Sequence, residues 1–194
     1  MEYRLILASG SPRRKELLKE IFDDFEVIVS DADENIEKKS PEILVEELAK
    51  IKALSVYEDI KESLTGPYVI IGSDTVVELD GKILGKPKNK EEARLMIESI
   101  SGRSHFVHTG VCLIMEDGPH SFHETSKVNV VKLSDKEIEA YISSNEPYDK
   151  AGAYGIQGIF GKYVAGIEGN YDNIVGLPVA RLYQELKNLG VIND

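Results

Sequence analysis

The chain has 194 residues, 42% apolar and 29% charged, and is long enough to bury a core as one domain or two closely joined lobes. Its net charge of −11 argues against nonspecific nucleic-acid binding, which depends on broad basic surfaces, but allows small anionic substrates. A single cysteine, Cys112, excludes an internal disulfide or a cysteine zinc site. Since no signal peptide and no apolar run of ~20 residues is evident, we expect a cytoplasmic protein without a membrane partner.

Hydrophobic patterning alternates strands with helices along the chain. Apolar runs predict strands at residues 4–8, 25–30, 68–72, 76–79, 107–115 and 126–133. Helical spacing and start signals predict helices at residues 12–22, 41–57, 90–100, 135–143 and 178–189. The alternation indicates an α/β fold, and Asp80-Gly81 between two short apolar runs predicts a hairpin, which makes the sheet mixed.

The first predicted strand runs into a tight turn, A-S-G-S-P-R-R, that opens a helix at Pro12. Proline suits the first helical position, and Ser11 is placed to cap the helix. The N–H groups of that helix start, the small serines of the turn and the guanidinium groups of Arg13 and Arg14 would converge, which favours a phosphate site. A capped helix with solvated arginines explains the same residues, and the turn alone does not separate the two interpretations.

Carboxylates follow two other predicted strands. Asp74 stands in I-I-G-S-D-T-V-V, at the end of a buried apolar run, where ligand crevices open in α/β sheets. It is either a metal ligand or water-orienting base, or a turn aspartate that caps backbone N–H groups. The acidic group D-A-D-E at residues 31–34 is either a second source of metal ligands or solvated surface, since magnesium commonly takes one or two protein carboxylates plus phosphates and water.

Two lysines and a glycine-rich segment are further candidates. Lys86, on a loop after the hairpin, and Lys52, on the second predicted helix, could neutralise phosphate, although most lysines are surface residues. The segment D-K-A-G-A-Y-G-I-Q-G contains small residues that allow close backbone approach to a ligand. Its Gln157 amide both donates and accepts, as binding to a nucleobase edge requires. A tight turn between core elements is the alternative.

Histidine pairs with H-x-x-H spacing occur at His105/His108 and His120/His123. Residues three apart on a strand point to opposite faces, so we do not expect a zinc site at either pair. The sequence contains neither a P-loop nor a G-x-G-x-x-G fingerprint, which argues against the P-loop and Rossmann interpretations.

Taken together, the ordered motifs A-S-G-S-P-R-R, G-S-D-T-V-V, G-K-P, S-G-R-S-H-F-V-H-T-G-V, D-K-A-G-A-Y-G-I-Q-G and V-G-L-P resemble the Maf family of nucleoside triphosphate pyrophosphatases. The resemblance runs from about Leu7 to Pro178. It implies one Maf-like domain over residues 1–194, with an elongated mixed α/β sheet related to the inosine triphosphate pyrophosphatases and a cleft between two lobes. It also implies hydrolysis between the α and β phosphates, with a divalent metal such as Mg²⁺ or Mn²⁺.

Carried onto this sequence, the resemblance assigns roles to particular residues. It implies that Asp74 is the catalytic carboxylate and that Glu34 and Asp74 are acidic metal ligands. Phosphate-binding positions fall on Ser9, Arg13, Arg14, Lys52 and Lys86. Specificity positions fall on Arg13, Thr75 and Gln157. The A-Y-G-I-Q-G loop is similar to that of the subgroup acting on dTTP and UTP, and Ser73 and Asn170 are small departures from common family residues that leave these roles unchanged.

The resemblance leaves three functions open. The protein is a dTTP/UTP pyrophosphatase that removes surplus or non-standard nucleotides, a pyrophosphatase with a different base preference, or a nucleotide-binding regulator of septum formation and cell division. Asp74 among a cluster of cations favours an enzyme, because a sensor of anionic phosphate would not need an acid there. We expect a small nucleoside triphosphate as the partner, with no nucleic-acid polymer, and the resemblance suggests a homodimer.

Overall fold

The computed structural model describes residues 3–34, 36 and 39–192, and the chain divides into two compact units. Unit 1 holds the described residues of 1–74, 109–124 and 176–194. Unit 2 holds residues 75–108 and 125–175. The polypeptide therefore passes from one unit to the other several times, instead of completing one before starting the next.

Strands and helices alternate along the described part of the chain. The strands are β1 (Arg4–Leu7), β2 (Glu26–Val27), β3 (Tyr68–Leu79), β4 (Lys82–Leu84), β5 (Ser104–Met115), β6 (Gly118–Val130) and β7 (Val164–Glu168). The α-helices are α1 (Pro12–Leu18), α2 (Pro41–Ile60), α3 (Lys90–Ile100), α4 (Asp135–Ile142), α5 (Tyr171–Val175) and α6 (Val179–Asn188). Short 3₁₀ turns lie at Lys61–Ser63, Pro147–Asp149, Ala151–Ala153 and Ile159–Tyr163. None of the helices in the described residues is both long and apolar enough to cross a membrane.

The strands form a mixed sheet in the order β2-β1-β3-β5-β6-β7, with β4 paired to β3. Strand β1 pairs in parallel with both β2 and β3, whereas β3–β4 and β6–β7 are antiparallel. Asp80 and Gly81 form the turn between β3 and β4, with φ of 53° and 74°, as is typical of an Asp-Gly hairpin turn. The predicted α/β class, mixed sheet and hairpin are confirmed.

Several element bounds differ from the sequence prediction. Strand β3 is continuous because it is buried along most of its length, so Asp74 lies within a strand and the prediction that a strand ends before it is wrong. Strand β6 begins earlier than predicted, at Gly118, because exposed polar residues alternate with its buried ones and interrupt the apolar run. No pattern in the sequence predicts β7, since its residues are half-buried or exposed without an apolar pattern.

In unit 1, α2 packs directly against the sheet. A Cβ atom on Gly72 of β3 would lie 2.2 Å from the Ala49 carbonyl oxygen, and one on Gly110 of β5 would lie 2.2 Å from that of Val45. Only glycine therefore allows the helix backbone to approach the strands this closely. The buried core residues around this contact are Ile6, Ala8, Ala49, Ala53, Val56, Ile70, Cys112 and Ile114.

Unit 2 has its own core, in which aromatic rings pack together beside α4. The Phe160 ring is fully buried, and its centroid lies 4.8 Å from that of Tyr154 and 5.1 Å from that of Tyr141. Tilted aromatic pairs at these separations are favourable beyond the apolar area they bury. This cluster anchors the segment between residues 150 and 163, which contains Gln157.

Candidate functional site

The turn after β1 has the geometry that the sequence predicts. Ser11 caps α1, because its hydroxyl accepts a hydrogen bond from the Arg14 N–H at 3.5 Å, and Pro12 occupies the start of the helix. The buried Ser9 hydroxyl accepts from the Ser11 N–H at 3.2 Å. The predicted helix cap is therefore confirmed, and both serines help to shape the turn.

The Arg14 guanidinium is held in place by other groups of unit 1. Its Nε donates to the Gly176 carbonyl at 2.9 Å, and its Nη1 donates to the Ser9 hydroxyl at 3.4 Å. Desolvation lowers the pKa of Arg14, the Asp74 and Glu34 carboxylates oppose that shift, and Arg13 adds to it. Since arginine keeps its charge in proteins, this side chain is an ordered cation among other charged groups.

Lys52 of α2 lies between two carboxylates. Its Nζ is 2.5 Å from Asp74 Oδ1 and 3.2 Å from Glu34 Oε1. The side chains of Lys52 and Asp74 are only 13% and 12% exposed, whereas that of Glu34 is 54% exposed. Salt screens a buried pair much less than a surface pair, so the balance of charge at Lys52 and Asp74 matters for stability.

Helix–sheet packing brings Lys52 to Asp74. The close contact at Gly72 involves Ala49 and Ala53, so it seats the α2 turn that contains Lys52 on the part of β3 just before Asp74. Strand β1 pairs with β3 only as far as Ile71, so Asp74 lies beyond the carboxyl end of its parallel neighbour. Ligand crevices in α/β sheets open outside such strand ends. Asp74 therefore does lie near the end of a strand, but the strand that ends there is β1 and not β3.

Gly176 belongs to this cluster and is missed by the sequence analysis. Its carbonyl accepts from Arg14 Nε at 2.9 Å and from the Ser73 hydroxyl at 3.1 Å. One backbone group thus links the arginine of α1 to the residue next to Asp74. The V-G-L-P motif marks the position in the sequence, but no sequence signal pairs its carbonyl with a side chain 162 residues away.

The carboxylates of Asp74 and Glu34 suit a divalent metal of the oxygen-binding class, because they converge on one cation, the Lys52 ammonium. Within residues 3–34, 36 and 39–192, no group of three or more His, Cys, Asp or Glu side chains is arranged to hold a metal ion. A metal here would therefore need further oxygen ligands from phosphate or water, which is how Mg²⁺ is commonly bound. The donor set fits the metal that the resemblance implies.

Lys86 lies on the exposed loop that follows β4 in unit 2. The carbonyl of the preceding residue, Gly85, accepts from the Gly152 N–H at 3.0 Å, so this loop is tied to the segment that leads to Gln157. Gly152 and Ala153 both have positive φ, 67° and 62°, which is a strained conformation for the alanine.

Gln157 lies in a β-turn that is closed by a hydrogen bond of 3.2 Å from the Gly158 N–H to the Gly155 carbonyl. The tight turn that the sequence analysis weighs as an alternative is therefore present. The Gln157 side chain is exposed, so the turn leaves its amide accessible and does not exclude binding to a base.

Just before this turn, Tyr154 is fixed in the core of unit 2. Its hydroxyl lies 2.6 Å from His105 Nε2, and both side chains are buried. Burial lowers the pKa of His105 to about 4, so the ring is neutral at pH 7, and burial also raises the pKa of Tyr154. His108 bonds instead to Thr125 at 2.9 Å, so the rings of the first H-x-x-H pair have separate partners.

The predicted residues divide between the two units. The unit 1 set is Ser9, Arg13, Arg14, Glu34, Lys52 and Asp74. The unit 2 set is Thr75, which is half-buried on β3, with Lys86 and Gln157. Asp74 is not a turn aspartate, because it lies within β3 and pairs with Lys52.

Comparison with known proteins supports the sequence resemblance. A family model described as Maf-like protein matches residues 4–189. Relatives named dTTP/UTP pyrophosphatase come from Agathobacter rectalis, Carboxydothermus hydrogenoformans and Bacillus thuringiensis subsp. konkukian. Their identities to this chain are 47%, 50% and 45%, over 97%, 96% and 97% of it and over 98%, 99% and 96% of their own lengths.

Two solved structures show a weaker likeness. The Staphylococcus aureus Ham1 protein has a TM-score of 0.45 at 18% identity, over 66% of this chain and 71% of its own. A nucleoside-triphosphatase / dITP/XTP pyrophosphatase from Mycobacterium abscessus has a TM-score of 0.42 at 13% identity, over 96% of this chain and 97% of its own. Neither likeness is strong enough to assign a family or a function. The assignment depends on the nearly full-length sequence matches. On that basis, this chain belongs to the family of Maf-like proteins.

Proposed function

We propose that this chain is a nucleoside triphosphate pyrophosphatase that hydrolyses dTTP and UTP to the monophosphate and pyrophosphate, removing surplus or non-standard nucleotides. Relatives with 45–50% identity over nearly the full chain carry the name dTTP/UTP pyrophosphatase. The structural observation that supports the proposal most is the buried Asp74 among cations, with Lys52 at 2.5 Å and Arg14 within its electrostatic reach.

In this proposal the cations of the site bind the triphosphate. Arg14 is already ordered by Gly176 and Ser9, so it loses little side-chain freedom when it meets a phosphate. A guanidinium binds phosphate oxygens through a planar pair of donors, whereas a lysine ammonium acts as a point charge. The full set of proposed phosphate-binding residues is Ser9, Arg13, Arg14, Lys52 and Lys86.

Hydrolysis adds one water across the α–β phosphoanhydride. The water oxygen bonds to phosphorus, the bridging P–O bond breaks, and pyrophosphate leaves while a proton is released. Asp74 orients the attacking water and accepts its proton, as a positioned carboxylate can, and Lys52 holds that carboxylate in place. Most of the rate enhancement in such reactions comes from positioning and from neutralising the charge of the phosphates.

We further propose that Asp74 and Glu34 hold Mg²⁺ or Mn²⁺. The support is that both carboxylates contact one cation, the Lys52 ammonium, at 2.5 and 3.2 Å, so the two side chains are close enough to share positive charge. A bound metal would neutralise charge on the triphosphate as the bond breaks.

Base selection is assigned to Gln157 and Thr75, with Arg13 contributing from α1. Uracil and thymine share one edge, in which an N–H donor lies between two carbonyl acceptors, and a glutamine amide can both accept and donate there. Cytosine carries an amino group in place of one of those carbonyls and an acceptor nitrogen in place of the N–H, so an amide held in the orientation that suits uracil would leave polar groups unpaired. Acceptance of both dTTP and UTP follows from their common edge.

A panel of nucleoside triphosphates tests the function, with pyrophosphate release measured in Mg²⁺ or Mn²⁺. We expect release from dTTP and UTP, and a rate about 10²–10⁴-fold lower in Asp74→Asn. Asp80→Asn, at an exposed aspartate paired with Arg103, is the matched control and keeps full activity. No release from any nucleotide, or full activity in Asp74→Asn, would overturn the proposal, and nucleotide binding without release would favour the regulator.

The expected homodimer and the cytoplasmic location stay predictions. Light scattering on the purified protein measures the mass of the assembly, and fractionation of cells measures the location. A monomeric mass, or recovery in the membrane fraction, would contradict them.

A further inference from the structure

The carboxylate of Glu146 binds the backbone just after Gln157. Its Oε2 accepts from the Ile159 N–H at 2.7 Å, and its Oε1 accepts from the Phe160 N–H at 3.3 Å. These two N–H groups belong to the start of the 3₁₀ turn Ile159–Tyr163, where no backbone acceptor is available to them within the turn. Hydrogen bonds from backbone N–H groups to a charged carboxylate are stronger than those to a neutral group.

The Glu146 carboxylate occupies the space that a Cβ atom on Gly158 would take. A Cβ atom on Gly158 would lie 2.3 Å from Glu146 Oε2, so the carboxylate lies directly against the backbone of the residue that follows Gln157. The Gly158 N–H also closes the β-turn onto Gly155. The place of the Gln157 backbone is therefore set, on its carboxyl side, by where Glu146 lies.

The amino side of the turn is held by the same short region. Lys150 Nζ donates to the Glu146 carbonyl at 2.8 Å, and a Cβ atom on Gly155 would lie 2.7 Å from Lys150 Cε. The Tyr141 hydroxyl, 3.1 Å from Glu146 Oε1, donates to that carboxylate or to the Ala153 carbonyl at 3.2 Å. Glu146 thus contacts, directly or through one side chain, both ends of the segment that carries Gln157.

We propose that Glu146 is a positioning residue for base selection, which acts by holding the Ile159 and Phe160 N–H groups and so placing the Gln157 amide. The inference rests on the proposed function, in which Gln157 contacts the base. Glu146 itself touches neither the base nor the phosphates. Glu146 affects the discrimination between correct and incorrect bases, because a displacement of the Gln157 amide by about 1 Å is enough to lose the hydrogen bonds that distinguish them.

The experiment compares kcat/KM for dTTP and dCTP in the full chain. In Glu146→Ala we expect the dTTP/dCTP ratio to fall about tenfold, because the Gln157 turn loses its anchor. Glu146→Gln keeps one acceptor oxygen but turns an amide towards an N–H group, so its ratio is expected to lie between that of Glu146→Ala and that of the unchanged chain. It also serves as the test if Glu146→Ala does not fold.

Glu137 provides the matched control. Its carboxylate accepts from the Ser134 N–H at 2.8 Å and the Ser134 hydroxyl at 2.7 Å, in the capping box of α4. Glu137→Ala therefore removes the same kind of bond, from a carboxylate to a backbone N–H, outside the segment that carries Gln157. Its dTTP/dCTP ratio should stay unchanged. An equal fall in both variants would overturn the inference, because it would reflect general loss of structure.

A double variant separates this inference from the proposed function. If Glu146 acts through Gln157, adding Glu146→Ala to Gln157→Ala lowers the dTTP/dCTP ratio no further, whereas two independent effects would multiply. Multiplying effects, or an unchanged ratio in Glu146→Ala while Gln157→Ala loses discrimination, would overturn the positioning role alone. Absence of pyrophosphate release from the unchanged protein would instead overturn the proposed function.

Discussion

In unit 1 most candidate residues are charged and some bind one another, as Lys52 binds Asp74, whereas in unit 2 Gln157 is neutral and its place depends on bonds to the backbone around it. The Lys52 and Asp74 side chains are largely buried, and the Gln157 side chain is exposed. A charged cluster can bind a triphosphate whatever its base. An exposed amide on a fixed turn adds little binding energy but can distinguish bases, so the two regions should respond differently to substitution.

The largest expected effect is on the stability of unit 1. Lys52→Met leaves the Asp74 carboxylate buried without its closest cation, which should lower the free energy of unfolding by about 3 kcal/mol. Lys61→Met is the matched control, because Lys61 also lies 2.5 Å from a carboxylate, that of Glu58, but both side chains are exposed. Urea unfolding followed by circular dichroism measures both. Equal losses in the two variants would show that burial of the Lys52 pair has no special importance.

A pH effect of similar size is expected in unit 2, from His105. Because burial lowers its folded pKa to about 4 from 6.5, the unfolded chain takes up a proton between these values that the folded chain does not. Stability is therefore full above pH 6.5 and falls towards pH 4, by up to about 1.4 kcal/mol per pH unit and about 3 kcal/mol in all.

Urea unfolding at several pH values checks this expectation for His105. His105→Gln should remove its share of the acid loss. Tyr154→Phe should retain it, because burial of the ring and not its bond to Tyr154 lowers the pKa. The same acid slope in His105→Gln and the unchanged chain would contradict the assignment.

Next in size is the loss of activity in Arg14→Lys. Lysine keeps the charge but cannot keep the Nε bond to Gly176 together with a planar pair of donors, so kcat/KM for both dTTP and UTP should fall about 100-fold. Arg103→Lys, at an exposed pair with Asp80, should leave kcat/KM unchanged. Full activity in Arg14→Lys would mean that a point charge suffices at this position.

The smallest expected effect is in Gln157→Ala. The side chain is exposed, so the melting temperature should stay unchanged while the dTTP/dCTP ratio of kcat/KM falls about tenfold, the cost of roughly one hydrogen bond. Ile159→Ala, which also truncates an exposed side chain two positions away, should leave that ratio unchanged. If Gln157→Ala lowers kcat/KM equally for every nucleotide, the residue contributes to binding without selecting the base.

Sequence patterning predicts the turn and cap at Ser11 and Pro12 correctly because the signals for a helix start are local. It predicts the position of Asp74 only in part. Burial extends β3 through Gly72 and Ser73 to Leu79, and the apolar pattern of the sequence, which those small residues interrupt, does not show that. The partners of Arg14 and the anchoring of Gln157 by Glu146 are absent from any sequence pattern, since they join groups by their positions in space.

The sequence alone determines the family, the α/β class and the kinds of chemical group available: guanidinium, ammonium, carboxylate and amide. Only the tertiary structure decides which of them meet. Lys52 reaches Asp74 because Gly72 lets α2 lie against β3, and Arg14 is ordered because the Gly176 carbonyl comes to it from the far end of the chain. Electrostatic energy depends on the distance between charges and on their burial, and both are set by packing.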